Sequence, residues 1–305
     1  MKFVDLCAGT GAFTHVLEKL GCECVYANDY SKDSETAYNL NFKHKLDHRD
    51  LCQVDEIPKH DILTAGSPCQ PWSVAGLKKG FDDQRTNVFW KIIKIIQDHR
   101  PKLFLIENVK GLHEKALDKL LGPIKEYYKV SHKLLDTCKI THIPQHRERI
   151  YIVGIRKDLP PWDPFENILE LQNRPISTFL ESKIDQRYYY SNRFKAWDLI
   201  SNGVTKHIDT NTVYQYRRTF IRENKSNVCP TLTANMGTGG HNVPLIRDSQ
   251  GVRKLTPREC FNLQGFPKSY KFGKLSDSKL YKLVGNSVTL DVIMIILEGA
   301  VENLG

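Results

Sequence analysis

Along the first half of the chain, short apolar runs alternate with segments that carry a helical pattern. The apolar runs predict four buried strands: KFVDL, CECVYAN, DILTAG and KLFLIENV. Helices are predicted after the first two strands by AFTHVLEKLG, which ends at Gly21, and by SKDSETAYNLNF, which starts with the N-capping residue Ser31. Strands that alternate with crossover helices predict a doubly wound, mainly parallel α/β sheet.

The segment TNVFWKIIKIIQDH, between the third and fourth strands, predicts an amphipathic helix. Its apolar residues Phe89, Ile92, Ile93 and Ile96 recur at positions i, i+3, i+4 and i+7, which places them on one helix face. We therefore expect this helix to lie on the sheet with that face buried.

The pattern changes near Pro160. From there to about residue 250 the strand–helix alternation is absent, and Pro, Asn, Thr and Tyr are frequent. The last stretch, GNSVTLDVIMIILEGAVENL, is strongly apolar and predicts a helix that packs on the first domain. Residues 1–160 and 284–305 are thus expected to form one discontinuous domain, with residues 161–283 as a smaller inserted domain.

Composition narrows the class of protein. With 305 residues, 40% of them hydrophobic and 26% charged, the chain suits a globular protein of one large or two moderate domains. The glycine turn close to Met1 leaves no room for a signal peptide, and we expect that no apolar run approaches the length of a membrane span. The eight cysteines form no C-x-x-C pair, so neither a disulfide framework nor a metal site is expected, even at Cys22 and Cys24.

The net charge of +9 is concentrated in one segment. Residues 251–283 hold 8 Lys and Arg against 2 Asp and Glu, with aromatic residues interspersed among them. Such a stripe suits a polyanion such as nucleic acid, while a solvated lysine face would show the same composition.

Glycines directly after the first strand indicate a ligand-binding turn. In DLCAGTGAF, Gly9 and Gly11 allow the backbone to approach a ligand, and Asp29 ends the second strand, where an acid can bind ribose hydroxyls. A dinucleotide fingerprint would need a third glycine, but Thr14 occupies that position. The turn therefore fits S-adenosyl-L-methionine better than NAD, and a merely tight turn is the alternative.

Three further features carry candidate chemistry, each with a plain structural alternative. Cys69, between two prolines in GSPCQPWSVAG, is either a nucleophile on a rigid loop or a structural thiol. Glu107 ends a buried strand, where a carboxylate either faces a ligand or pairs with a lysine. Arg147 and Arg149, two residues apart, either reach a common anion or carbonyl or lie on the surface.

The order of these motifs is more specific than any one of them. Pro-Cys-Gln after one strand, Glu-Asn-Val at the end of the next and Gln-x-Arg-x-Arg beyond them all follow the glycine turn. With RKLTPRECFNLQGFP and YKLVGNSV added, the chain resembles the DNA (cytosine-5) methyltransferases of bacterial restriction–modification systems. The resemblance covers the chain except about residues 160–228. It implies a Rossmann-like S-adenosylmethionine-dependent methyltransferase sheet with an inserted target-recognition domain.

The resemblance implies methylation of carbon 5 of a cytosine within a specific duplex DNA sequence. Cys69 would attack ring carbon 6, which makes carbon 5 nucleophilic enough to accept a methyl group from S-adenosyl-L-methionine. Glu107 would donate a proton or hydrogen bond at ring nitrogen 3. Arg149 would hold the ring carbonyl, and Arg147 would support the same pocket.

The resemblance also implies which residues contact the cofactor. Asp29 would bind the ribose, Tyr30 would stack on the adenine and Asp50 would bind the adenine amine. The full set of implied cofactor contacts is Leu6, Gly9, Gly11, Asp29, Tyr30, Asp50, Leu51 and Asn286. Two positions depart from the family pattern, because Cys7 stands where phenylalanine is usual and Ala12 where glycine is usual.

Duplex DNA is the implied partner, with the target base flipped out of the helix. DNA contacts are expected from Gln70, Ser73, Arg85, Arg217 and Thr231, and sequence recognition from the inserted domain in the major groove. We expect a cytoplasmic monomer, without a membrane, that is functionally paired with a restriction endonuclease. The alternatives are an RNA cytosine methyltransferase, a catalytically silent DNA-binding homologue and a Rossmann-type dehydrogenase. The recognised DNA sequence does not follow from the amino-acid sequence.

Overall fold

Two compact units make up the part of the chain that the structure describes. The structure is a computed structural model, and it describes residues 1–67, 86–112, 117–166, 168–204, 208–217, 219–224, 227–238 and 243–304. The first unit comprises Met1–Leu135, Glu148–Leu169 and Leu290–Gly305, and the second comprises Asp136–Arg147 and Glu170–Thr289. The second unit thus includes a short segment that lies well before the change of pattern near Pro160.

The first unit is built on a six-stranded sheet. The strands of the described residues are β1 (Lys2–Leu6), β2 (Glu23–Asn28), β3 (Ile62–Gly66), β4 (Leu103–Val109), β5 (Tyr128–Asp136), β6 (Glu148–Arg156), β7 (Asp209–Arg217), β8 (Phe220–Asn224), β9 (Leu245–Asp248) and β10 (Gly251–Lys254). The sheet has the order β2-β1-β3-β4-β6-β5, in which the first four strands are parallel and β6 is antiparallel to β4. This parallel-dominated sheet confirms the predicted α/β class. Ligands bind such sheets where the strand order reverses, which here is at the carboxyl ends of β1 and β3.

Helices cover this sheet with the faces that the apolar pattern predicted. The described helices are α1 (Ala12–Lys19), α2 (Lys32–Asn41), α3 (Thr86–His99), α4 (Leu117–Leu121), α5 (Thr137–Ile140), α6 (Trp197–Gly203), α7 (Pro257–Asn262), α8 (Asp277–Asn286) and α9 (Leu290–Leu304). On α3, Phe89, Ile92, Ile93 and Ile96 are all buried in one core with side chains of β1, β3 and β4. Ile95 is buried there as well, so the apolar face is wider than the predicted one.

The C-terminal apolar stretch forms two helices where one was expected. Ser287 adopts an extended conformation (φ −70°, ψ 162°) after α8, and α9 then packs against α1 within the first unit. By length and composition the run Asp277–Leu304 could cross a membrane, because an 18-residue window has a mean hydropathy of 1.6. This corrects the expectation that no run approaches a span. However, 72% of that window is buried in the protein, which is typical of a core helix.

The second unit contains a four-stranded antiparallel sheet in the order β10-β9-β7-β8. Its small core consists of Ile200, Val204, Tyr214, Leu245 and Val252. Gly203 ends α6 against β8, where an added Cβ would lie 2.5 Å from the Cβ of Ile221. Only glycine lets the helix approach the strand this closely.

A buried ion pair holds the start of α7 to the strands of the second unit. Arg253 donates to both carboxylate oxygens of Glu259 at 2.8 Å and to Asp248 at 2.7 Å, and its side chain is 2% exposed. Glu259 is fully buried and also accepts the backbone N–H groups of Thr256 and Glu181. Because these bonds satisfy the carboxylate on all sides, loss of its charge would leave Arg253 as a buried, poorly compensated cation.

We expect Glu259→Gln to lower the free energy of unfolding by about 3–5 kcal/mol, the usual cost of breaking a buried pair from one side. Urea unfolding followed by circular dichroism measures this, with the exposed Glu223→Gln as the matched control. Adding Arg253→Met removes the buried cation that lacks a partner. The double variant should therefore lose less unfolding free energy than the two single variants lose in sum. If Glu259→Gln shifted the urea midpoint no more than Glu223→Gln does, the buried ion pair would not stabilise the fold as proposed.

Candidate active site

The turn after β1 places an open backbone position next to an acid. Cys7, Gly9 and Gly11 all have positive φ, at 54°, 55° and 73°. The N–H of Gly9 donates to Asp29 Oδ2 at 2.9 Å, and a Cβ added to Gly9 would meet no atom closer than 4.0 Å. A Cβ on Gly11 would lie 2.3 Å from the ring of Phe42. Gly9 therefore leaves room for a ligand, whereas Gly11 is needed for packing.

Thr14, in the place of the third glycine, fixes this turn from below. Its N–H and Oγ1 donate to Asp5 Oδ2 at 3.2 and 2.8 Å, and Thr64 Oγ1 donates to Asp5 Oδ1 at 3.2 Å. Asp5 is fully buried, and burial raises the pKa of its carboxyl to about 7. This cluster, which was not identified from the sequence, joins α1 to β1 and β3 directly beneath the glycine turn. An acid inside an apolar strand was the available signal.

Asp29 and Tyr30 directly follow β2, beside the turn. Besides the N–H of Gly9, the Asp29 carboxylate accepts the N–H of Ser31 at 2.9 Å. Burial raises the pKa of Asp29, and these two hydrogen bonds oppose the rise. The ring of Tyr30 is 72% exposed. A fixed carboxylate and a free aromatic face are thus available together, as stacking and ribose binding would require.

The segment after α2 brings two more predicted residues to the same edge. The amide of Asn28 donates to the carbonyls of Asp47 and Arg49 at 3.0 and 2.8 Å, which ties this segment to β2. Asp50 is exposed and caps the 3₁₀ turn that begins at Leu51. The side chain of Leu51, like that of Leu6 in β1, is buried in the core. In the structure these two leucines support the turn from beneath, and their contact with a cofactor stays a prediction.

Asn108 joins the ends of β3 and β4. Its Nδ2 donates to Ser67 Oγ at 2.7 Å and to the Ser67 carbonyl at 3.3 Å, while its Oδ1 accepts the N–H of Val109. The parallel register pairs Gly66 with Glu107 at this same edge. Ser67 and Asn108 were not identified as site residues from the sequence, although Ser67 directly precedes Pro-Cys-Gln and Asn108 is the central residue of Glu-Asn-Val. Together they fix where the chain leaves β3.

Glu107 and Arg149 form a salt bridge at the carboxyl end of β4. In the antiparallel pairing of β4 with β6, Glu107 lies opposite Tyr151, and Val109 lies opposite Arg149. Arg149 Nε is 3.1 Å from Glu107 Oε1, and the two side chains are 14% and 9% exposed. A carboxyl and a guanidinium side by side can bind a flat polar ring that presents both donors and acceptors along one edge.

Arg147 has different partners from Arg149. Its buried guanidinium donates to the carbonyls of Leu232, Gly285 and Ser287, at 3.0, 3.2 and 2.5 Å, all within the second unit. Asn286, the predicted cofactor contact, is exposed between two of these anchored carbonyls. Arg147 therefore fixes the turn that carries Asn286, and its predicted share in a common pocket with Arg149 stays a prediction.

Two predicted DNA contacts lie on the surface of the second unit. Thr231 is partly exposed, and its Oγ1 donates to the carbonyl of His146 at 2.6 Å. Arg217 is exposed at the end of β7, where its guanidinium donates to Gln215 at 3.0 Å. Both side chains are held by a neighbour and face solvent, as a surface that contacts DNA backbone requires.

The basic segment 251–283 divides into interior and surface charges. Arg253 belongs to the buried ion pair, Lys254 is half-buried over two tyrosine rings, and the guanidinium of Arg258 lies 3.9 Å from the ring centre of Phe272. The exposed cations of the segment are Lys268, Lys271, Lys274, Lys279 and Lys282. The charge available to a polyanion is therefore smaller than the sequence count indicated.

Four predicted site residues lie outside the described part of the chain. These are Cys69, the expected nucleophile, and the expected DNA contacts Gln70, Ser73 and Arg85. The described residues on either side of this gap are Ser67, at the end of β3, and Thr86, at the start of α3.

Comparison with known proteins decides the family. The family model for C-5 cytosine-specific DNA methylases matches residues 1–302. The chain belongs to this family. The methylase is 38% identical over 320 residues to the type II methyltransferase M.Bsp6I of Bacillus sp. (strain RFL6), with 100% of this chain and 99% of that protein covered. It is 34% identical over 317 residues to M.HhaI of Haemophilus parahaemolyticus, with 97% and 93% covered.

These relatives confirm a DNA (cytosine-5) methyltransferase of the bacterial restriction–modification type, as predicted, and exclude a Rossmann-type dehydrogenase. Among solved structures, the methylase resembles the Dnmt2 methyltransferase of S. pombe with a TM-score of 0.78 and 20% identity, over 100% of this chain and 99% of that one. At this identity the likeness shows the fold alone. The predicted methyltransferase sheet is therefore confirmed from two directions, by family and by fold.

Proposed function

We propose that this methylase transfers a methyl group from S-adenosyl-L-methionine to carbon 5 of a cytosine in a specific duplex DNA sequence, through a flipped base bound covalently to Cys69. The observation that carries the proposal is the Glu107–Arg149 pair beside the Ser67–Asn108 hydrogen bond at one sheet edge. Ser67 precedes Cys69 by two residues, so the covalent chain allows at most roughly 7 Å between their Cα atoms. This limit supports a nucleophile at the same edge as the acid and the cation.

The other cysteines support the choice of Cys69 by elimination. Burial raises the pKa of every cysteine in the described residues, namely Cys7, Cys22, Cys24, Cys52, Cys138, Cys229 and Cys260. A raised pKa keeps the thiol protonated, and the thiolate is the nucleophile. The thiols of these seven cysteines are therefore poor nucleophiles, which supports the choice of Cys69.

The arrangement of acid and cation suits addition to a cytosine ring. As the thiolate of Cys69 adds to carbon 6, electron density moves to ring nitrogen 3, where Glu107 donates a proton or hydrogen bond. Arg149 donates to the ring carbonyl and keeps the ring in the plane of the pair. After carbon 5 is methylated, a base removes its proton, the bond between sulfur and carbon 6 breaks, and Cys69 leaves as thiolate.

The residues at the glycine turn fit the cofactor. Gly9 leaves space for a ligand against the backbone, the Asp29 carboxylate is fixed for ribose hydroxyls, and the exposed ring of Tyr30 can stack on an adenine. Asp50, exposed on the neighbouring segment, can accept a hydrogen bond from the adenine amine. When bound, S-adenosyl-L-methionine supplies an electrophilic methyl group. Asn286 is proposed as a further contact of the cofactor.

The second unit is proposed to recognise the target sequence, with Thr231, Arg217 and the exposed lysines of residues 268–282 at the DNA surface. The type II relatives support a pairing with a restriction endonuclease inside a bacterial cell. We propose that the methylase acts as a monomer.

Incubation with methyl-labelled S-adenosyl-L-methionine and either duplex DNA or transfer RNA tests this function. We expect label in duplex DNA alone, and bisulfite sequencing of DNA from expressing cells should then show one methylated sequence context. Label in RNA alone, or in neither nucleic acid, would overturn the proposal. Duplex DNA in which every cytosine already carries a 5-methyl group serves as the control substrate and should take up no label.

A further inference from the structure

The second unit contains a cluster of three side chains able to bind a metal, which the proposed reaction does not use. We propose that Asp136, Cys138 and His146 form a binding site for a transition-metal dication of the zinc class. One carboxylate oxygen, one sulfur and one imidazole nitrogen from these residues all lie within 4.8 Å of one another. In a tetrahedral zinc site, neighbouring ligand atoms are roughly 3.3–3.8 Å apart, so side-chain shifts of about 1 Å would complete it.

Contacts that need no metal already hold the Asp136 and His146 side chains and the backbone of Cys138. The buried carboxylate of Asp136 accepts the N–H of Arg147 at 2.8 Å through Oδ1, and its Oδ2 lies 2.5 Å from His146 Nδ1. The backbone of Cys138 is held by Asn173, whose Nδ2 donates to its carbonyl at 2.6 Å. The ligands are therefore brought together by the fold, and metal binding does not have to gather them from separate regions.

The chemistry of the ligands selects the metal. Thiolate and imidazole favour Zn²⁺ and Co²⁺ over Mg²⁺ and Ca²⁺, which prefer oxygen ligands. Three protein ligands leave one tetrahedral position for water, and the His146 side chain, which is 57% exposed, provides a path from solvent. Coordination of the metal by the Cys138 sulfur would release the thiol proton to solvent.

A metal at this site would link the two ends of the segment between β5 and β6. Asp136 ends β5, and His146 lies shortly before β6, so the ligands come from both ends of the excursion between these strands. The N–H of His146 donates to the carbonyl of Cys229 at 2.8 Å, and its carbonyl accepts from Thr231. Bound metal would therefore stabilise residues 136–147 and, through His146, the segment that carries Thr231.

Titration of the metal-free, full-length methylase with Co²⁺ tests the site. We expect one equivalent to bind, with a thiolate-to-cobalt charge-transfer band in the near ultraviolet that Zn²⁺ abolishes by displacement and Mg²⁺ does not. Cys138→Ser should remove the band, and His146→Gln should weaken Co²⁺ binding by at least about tenfold. Because the His146 side chain is exposed, its replacement tests the site even if Cys138→Ser disturbs folding.

Matched controls come from a thiol and an imidazole outside the cluster. Cys52→Ser and His142→Gln change exposed residues, and both variants should bind Co²⁺ like the unaltered protein. In hydrogen exchange, Zn²⁺ should increase protection of residues 136–147 and 229–232 but leave residues 209–217 unchanged. Absence of the charge-transfer band, or a band lost in Cys52→Ser and kept in Cys138→Ser, would overturn the proposal.

Discussion

Replacing Cys69 with alanine is expected to reduce methyl transfer to duplex DNA by at least about 10⁴-fold, which corresponds to about 5.4 kcal/mol of lost transition-state stabilisation. The reason is chemical, because carbon 5 of an unmodified cytosine is too weak a nucleophile to take a methyl group. Addition of the thiolate at carbon 6 is the step that changes this. Initial rates with methyl-labelled cofactor and saturating duplex DNA measure the effect.

A suicide substrate separates the loss of a nucleophile from a general loss of function. With 5-fluorocytosine at the target position, the unaltered methylase should form a stable protein–DNA adduct, since fluorine cannot leave as the carbon 5 proton does. Cys69→Ala should form none, and it should still bind S-adenosyl-L-methionine in calorimetry. The matched control is Cys52→Ala, which removes an exposed thiol and should keep both turnover and adduct formation. Methylation retained in Cys69→Ala would refute the covalent mechanism.

The parts of the fold that depend on local periodicity could be predicted from the sequence. The buried face of α3 followed from the spacing of Phe89, Ile92, Ile93 and Ile96, and four strands followed from short apolar runs. Each of these patterns lies within a single helix or strand. Packing on a sheet requires apolar side chains at a regular spacing along that element. The break between α8 and α9 was missed, since apolar residues continue through it and only residues 287–289 depart from helical structure.

Contacts between residues far apart in the chain were not predictable in this way. Arg147 donates to carbonyls at Leu232 and Ser287, 85 and 140 residues away, so its spacing from Arg149 did not reveal its partners. Gly11 was assigned to the cofactor, but its lack of a side chain is required by the ring of Phe42. A glycine in a ligand-binding motif can thus serve packing as much as binding.

Counting charges along the chain also gave only part of the answer. Three cations of the basic segment, Arg253, Lys254 and Arg258, have interior partners that the sequence does not place beside them. The Asp136–Cys138–His146 group was missed for a related reason, because its members have none of the spacings that short zinc motifs use. In both cases the fold decides which side chains meet, and composition alone cannot.

Among the described residues, Glu107 is the one whose replacement should lower the rate of methyl transfer most. We expect Glu107→Gln to lower the single-turnover rate of methylation by about 10²–10³-fold, or about 2.7–4 kcal/mol. Glutamine keeps the shape of the side chain but has no carboxyl proton to donate as charge develops on ring nitrogen 3. It also replaces the carboxyl oxygen that Arg149 Nε contacts at 3.1 Å in a pair almost closed to solvent. The affinity for DNA should change by less than about threefold, because the interaction strengthens only in the transition state.

Glu148 provides the matched control, since it precedes Arg149 in the same strand but pairs at the surface with Lys110 at 3.1 Å. An exposed pair of this kind contributes about 0–1 kcal/mol, so Glu148→Gln should leave the single-turnover rate within about twofold. Adduct formation with 5-fluorocytosine DNA adds a second readout. It should slow in parallel with methylation in Glu107→Gln, because the acid acts during addition of the thiolate. If the Glu107→Gln and Glu148→Gln variants proved equally active, or if adduct formation were unchanged while methylation fell, Glu107 would not be the acid of the addition step. The salt bridge with Arg149 would then serve only to hold β4 and β6 together.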